Sequence, residues 1–150
     1  MNTGTVEDFT MRGISDLHDR LVRTPLPAIE TFREDPLRLL RAVRFATRFD
    51  CSIDPSIFEA ARIPEIEHFL SIKVSRERIG IEFLKMAQFR HFDRALHELS
   101  NMAILNSLFH IEGDLTFYMK NQKLRSMEEF GRQLFLCWVP EVGKRRKREM

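Results

Sequence analysis

An acid and an arginine one helical turn apart can read the edge of a nucleobase, and the segment Glu34, Asp35, Pro36, Leu37, Arg38 holds such a pair. Asp35 and Arg38, spaced i, i+3, project from the same side of a helix. A carboxylate only accepts hydrogen bonds and a guanidinium only donates them, so together they offer a fixed acceptor/donor pattern. Cytosine and adenine edges each carry an exocyclic amine beside a ring acceptor and suit that pattern. Guanine and uracil present a carbonyl where the amine would be and are refused, acceptor facing acceptor. The same residues also spell an ordinary helix start, with Asp35 as N-cap and Pro36 at the first helical position. The motif alone is compatible with either use.

The element that must carry this pair is a helix running on from Pro36. At about 100° per residue, Arg41, Arg44 and Arg48 fall within about 60° of one another with Arg38 beside them, while Leu39, Leu40, Val43 and Ala46 take the opposite arc. This predicts a helix that packs on a core and shows a guanidinium stripe outward, with Arg44 and Arg48 as candidate RNA or phosphate contacts. A solvated charged face is the plainer alternative. Further helix starts stand at Asp54 before Pro55, at Ser75, and at Ser126 with Glu129 as a capping box. Apolar spacing at Ile79, Phe83, Met86 and Ala87, and at Leu96, Leu99, Met102 and Leu105, fits amphipathic helices. Ahead of them, residues 3–10 and 20–24 have extended character with turn chemistry between, which predicts a short N-terminal β-hairpin or extended segment. The fold class is therefore mainly α, a small helical bundle. The 13 phenylalanines read as core filler rather than base-stacking groups.

Composition narrows the function classes. With 150 residues and 43% hydrophobic content the chain can bury one real core. No apolar run approaches the ~20 residues of a membrane span, and the N-terminus lacks signal-peptide character, so the expectation is an intracellular protein without a membrane partner. Cys51 and Cys137 are far apart and without metal-ligand spacing, and His18, His68, His91, His97 and His110 join no convincing ligand set, so no metal site is expected. Net charge is only +2, and the chain turns abruptly basic at Lys144, Arg145, Arg146, Lys147 and Arg148.

Three separated motifs then appear in order: Val6 to Leu17 with Glu7, Asp8, Arg12, Gly13 and Asp16; Glu34 to Arg38 running into Arg44 and Phe45; and Ser75, Arg76, Glu77, Arg78, Ile79 with Glu82. Together they resemble the tRNA nucleotidyltransferases, the CCA-adding enzymes of the class shared by bacteria and eukaryotes, relatives of bacterial poly(A) polymerases. The resemblance covers roughly residues 3–110. It implies that Asp8, Arg12, Gly13 and Asp16 lie in a hinge between a catalytic head and a helical neck. It implies that Glu34, Asp35 and Arg38 form an amino-acid template for the incoming CTP or ATP, with Arg41 assisting. Arg76, Glu77, Arg78 and Glu82 would brace the template helix, an Arg78–Glu82 ion pair at i, i+4 suiting that role.

The departures carry equal weight. Enzymes of this kind hold magnesium with a D-x-D carboxylate pair in a Gly-rich head, and this sequence has no D-x-D, no Gly-Gly or Gly-Ser signature and no Arg-Arg-Asp segment. No catalytic residue is therefore assigned to this chain, and the magnesium implied for a complete enzyme would be bound by a missing head, encoded upstream or supplied as a separate polypeptide. Met11 stands where relatives carry glycine, which would stiffen the hinge. The expected organisation is residues 1–24 as head remnant and hinge, 25–110 as helical neck with template and RNA-binding helices, 111–140 as further helices, and 141–150 as a basic disordered tail. The implied function is selection of CTP and ATP for addition to the tRNA 3′ end by a chain inactive alone, in the cytoplasm, mitochondrion or nucleus. Two alternatives stand beside it: a non-catalytic RNA-binding module, and a purely structural helical fragment.

Overall fold

The computed structural model describes residues 6–105 together with residues 4 and 108. The expected helices within 111–140, the capping box at Ser126 and Glu129, Cys137 and the basic tail lie outside the described residues. Within them the chain is mainly helical: α1 (Gly13–His18), β1 (Leu21–Val22), α2 (Ala28–Glu34), α3 (Leu37–Phe49), β2 (Ser52–Ile53), α4 (Pro55–Ala61), α5 (Pro64–Lys73), α6 (Arg76–Ala87) and α7 (Phe92–Asn101).

Local chemistry sets these boundaries. Asp54 caps α4 by accepting the Ser56 N–H at 3.0 Å, with Pro55 at the first helical position. Ser75 caps α6 through the Arg78 N–H at 3.3 Å. Asp50, in the left-handed region at φ 52°, ends α3; aspartate enters that region more readily than most residues.

α3 is the hub, packing against α2, α6, α7 and both strands. Its Leu39, Leu40, Val43 and Ala46 are buried, and they meet Phe32 of α2, Ile57 and Ala60 of α4, Ile66 and Leu70 of α5, Ile79, Phe83 and Met86 of α6, and Leu96 and Leu99 of α7 in one continuous core. The apolar periodicity read from α6 and α7 thus faces inward. Phe83 and Phe92 meet edge to face at 5.2 Å, filling the α6–α7 contact.

Of the expected N-terminal hairpin or extended segment, the described residues show a short extended segment, β1, and no hairpin. Residues 13–18 coil into α1, and β1 pairs instead with β2, parallel, with Leu21 opposite Ser52 and Val22 opposite Ile53. A parallel partner requires a long crossover, here supplied by α2 and α3. Asp8 capping α1 removes the turn that a hairpin would have used.

Candidate nucleotide and RNA interface

The acid and arginine of the opening motif sit where α2 passes into α3. Asp35 is extended at φ −138°, ψ 99°, and Pro36 follows in helical geometry. Its backbone carbonyl accepts the Arg38 N–H at 3.1 Å, and its Oδ1 accepts the Leu37 N–H at 3.1 Å, so the carboxylate does cap the helix start. Its other oxygen, Oδ2, accepts from Arg78 Nη2 at 3.1 Å. Arg38 pairs through Nη1 with Oε2 of Glu34, the last residue of α2. Asp35 is partly buried, whereas Arg38, Glu34 and Arg41 are exposed. The expected placement of both on one helix face does not hold: Asp35, extended and partly buried, precedes the first residue of α3, while Arg38 is exposed on its first turn, and each is paired with an opposite charge.

The downstream motif braces this corner by a different pairing from the expected one. Arg78 does not turn to Glu82; it reaches Asp35. Glu82 accepts instead from Arg44 Nε at 2.6 Å and from Lys85 Nζ at 3.2 Å, and the Arg44 and Glu82 side chains are only 7% and 6% exposed. Burial pushes the Glu82 carboxyl up, but the Arg44 and Lys85 hydrogen bonds and charges outweigh it and leave it below the ordinary glutamate range. Arg44 is therefore withdrawn from the outward stripe. The wheel placed it with Arg41 and Arg48, but α6 covers that part of α3 and draws the guanidinium into a buried pair. Arg44 also lies 4.1 Å over the Phe45 ring. Arg48 remains exposed, its guanidinium 5.2 Å from the Phe49 ring and 5.0 Å from that of Phe89. Of the remaining brace residues, Arg76 donates to the Leu108 carbonyl, and Glu77 lies in the exposed first turn of α6.

The residues of the first motif form a separate, tightly knotted corner. Asp8 accepts from the Thr10 N–H at 3.0 Å, the Thr10 hydroxyl at 2.7 Å and the Ile14 N–H at 3.1 Å. The Thr10 hydroxyl, then the Ile14 N–H, hold its carboxyl below the ordinary aspartate range. A Cβ on Gly13 would stand 3.2 Å from Asp8 Oδ1, a tight contact that the Asp8 side chain would have to relieve by shifting a few tenths of an ångström. Arg12 Nη2 donates to the carbonyls of Thr24 at 3.0 Å and Pro25 at 2.9 Å. Asp16 faces Arg23 at 3.7 Å, and Arg23 Nε donates to Asp54 Oδ2 at 2.9 Å. The Ser56 hydroxyl foremost, working against burial with the Ser56 N–H and Arg23, lowers the Asp54 carboxyl. Asp54 is legible in the sequence only as a helix start before Pro55, and Arg23 carries no local signal. Met11 adopts φ 58°, a conformation that glycine takes freely and methionine does not.

Among the described residues no cluster of three His, Cys, Asp or Glu could hold a metal ion, and no helix is long and apolar enough to cross a membrane. Cys51 is a free thiol.

No family model matches the chain. It is 50% identical over 86 residues to the mitochondrial CCA tRNA nucleotidyltransferase of Saccharomyces cerevisiae, covering 57% of this chain and 16% of that protein. It is 38% identical over 128 residues to a tRNA nucleotidyltransferase of Schizosaccharomyces pombe, covering 85% and 25%. The fold is similar to a solved structure described as "Structure of tRNA-processing enzyme complex 3", with TM-score 0.65 and 26% identity over 81% of this chain and 32% of the other. The chain thus spans no more than a quarter of the length of these curated relatives.

Proposed function

We propose, from the premise that this chain is homologous to a stretch of the CCA tRNA nucleotidyltransferases, that it contributes the base-selecting part of such an enzyme. The observation that carries this reading is the Asp35 carboxylate held in place at an exposed corner one helical turn from Arg38.

The physical sequence is short. The Leu37 N–H on Oδ1 and the Arg78 Nη2 on Oδ2 fix the plane of the Asp35 carboxylate, while its remaining lone pairs accept an incoming amine. Glu34 holds the Arg38 guanidinium through an ion pair beside this corner. An exocyclic amine of cytosine or adenine donates to Asp35, and the neighbouring ring nitrogen accepts from Arg38. Guanine and uracil leave both protein groups mispaired, and an unpaired polar group costs about 1–3 kcal/mol, sufficient for tenfold discrimination or more. Arg41, one turn further along, assists at the sugar or phosphate.

CTP and ATP are then the nucleotides read, and the 3′ end of a tRNA is their acceptor, with Arg48 among the RNA contacts. Asp8, Arg12, Gly13 and Asp16 form the pivot toward a head domain. In this reading the magnesium ions and phosphoryl transfer belong to that head, whether upstream or on another chain. Residues 25–110 then act as the neck, in an intracellular setting; the Saccharomyces relative is named mitochondrial.

The test is a titration of CTP, ATP, GTP and UTP into the isotopically labelled chain, followed by NMR. Shifts around Asp35 and Arg38 with CTP and ATP alone, lost in Asp35→Ala, are expected. Binding of tRNA without any nucleotide selectivity would replace this reading with that of a non-catalytic RNA-binding module. Absence of both would leave a structural fragment.

A further inference from the structure

Phe32, Phe83 and Phe92 fill the core, but Phe49 does not: it stands 57% exposed at the C-terminal end of α3. Its ring lies nearly parallel to that of Phe45, with centroids 6.1 Å apart and 9° between planes. The Arg48 guanidinium is held against both Phe49 and Phe89, which fixes a long side chain while leaving its N–H donors available.

The position of this cluster gives it meaning. Three successive contacts, Asp35 with Arg78, Arg44 with Glu82 and Arg48 with Phe89, show that α3 and α6 run side by side in the same direction. The seam they form begins at Asp35 and Arg38 and ends at Phe49 and Phe89. The 13 residues of α3 span about 20 Å at roughly 1.5 Å each. Along it the Glu82 carboxylate is buried and matched by Arg44 and Lys85, so the exposed charge contributed by Arg41 and Arg48 is uncompensated by that acid. Asp50, beside Phe49, is taken up by Arg94 at 2.7 Å. An exposed ring with cations spaced along one seam is the arrangement that binds unpaired RNA, bases stacking and phosphates pairing.

We propose that Phe49, with Arg48 and Phe89, is a landing site for an unpaired RNA strand. The exposed ring of Phe49 stacks a nucleobase, Arg48 takes a phosphate, and the strand lies along the α3–α6 seam toward Asp35. This rests on the RNA-processing reading above, but the two can fail separately, because nucleotide selectivity reports on Asp35 and Arg38 whatever happens at Phe49.

The experiment uses a short fluorescein-labelled single-stranded RNA of mixed sequence and follows anisotropy against protein concentration at several salt concentrations. Phe49→Ala is expected to weaken binding about tenfold with its salt dependence kept, since stacking is lost and phosphate contacts are not. Arg48→Gln is expected to weaken binding and reduce the log–log salt slope by about 0.7. Phe49→Trp, which preserves a stacking face, is expected to bind at least as tightly as the parent. Both CTP and ATP shifts at Asp35 should persist in Phe49→Ala. Parental RNA affinity in Phe49→Ala would overturn the proposal, and if that variant also melts at lower temperature, Phe49 is instead covered by protein.

Discussion

Asp35 Oδ2 and Arg78 Nη2 meet at 3.1 Å across 43 positions of sequence, so the carboxylate that caps α3 is simultaneously held by the first turn of α6. A cap alone fixes one oxygen; a second, charge-assisted bond fixes the plane. The downstream motif therefore acts on the corner where bases would be read, and it does so through one side chain.

Replacing Arg78 by alanine should leave the fold nearly intact, because the pair is partly exposed and such pairs contribute about 0.2–1 kcal/mol. Discrimination should suffer more than stability. We expect the CTP and ATP shifts at Asp35 to weaken several-fold while the thermal midpoint barely moves, with Arg78→Lys intermediate because a flexible ammonium keeps the charge but orients the carboxylate less firmly. A large drop in melting temperature with unchanged selectivity would refute a positioning role.

The buried pair of Arg44 and Glu82 should behave in the opposite way. Glu82→Ala leaves a buried guanidinium without its counter-charge and is expected to cost about 3–5 kcal/mol in urea unfolding, whereas the double substitution Arg44→Met with Glu82→Leu recovers most of that loss.

The same carboxylate sets a pH dependence. The folded group titrates below its unfolded value, so its stabilisation is fully present above about pH 4.3, the ordinary glutamate range, and is lost as pH falls through the folded pKa. Asp54 and Asp8, also lowered, add in the same direction. Thermal midpoints measured from neutral to acid pH should fall, and less steeply in Glu82→Gln.

Asp54 caps α4 and anchors Arg23, which in turn faces Asp16. Asp54→Ala should cost about 1 kcal/mol from the lost cap. The Asp54→Asn variant, which keeps a capping oxygen but not the charge, should restore most of the stability in denaturant titration, leaving only the weakened Arg23 contact.

At Met11 the backbone conformation predicts an asymmetry. Met11→Val places a β-branched residue at φ 58° and should lower stability by about 1 kcal/mol or more, while Met11→Gly should cost nothing. Urea midpoints of the two variants decide it; equal effects would mean that residue 11 leaves this conformation in solution.

The sequence by itself determined the helical class, the capped starts of α4 and α6, the inward faces of α6 and α7, and the place of Asp35 at a helix start, because each depends on residues within a turn or two of one another. It also carried the three motifs that mark the family resemblance. Tertiary structure decided the pairings. The stretch at residues 20–24 found its strand partner at 52–53 rather than in a hairpin, since α2 and α3 bring those backbones together. Arg44, placed on an outward stripe by helical periodicity, became buried, since a wheel describes one helix and cannot show which arc a second helix will cover. Arg78 passed over Glu82, its neighbour at i+4, for Asp35, since a guanidinium goes to the carboxylate that packing brings within reach. Which acids and arginines meet is settled by the docking of α6 on α3, and that is information no local spacing contains.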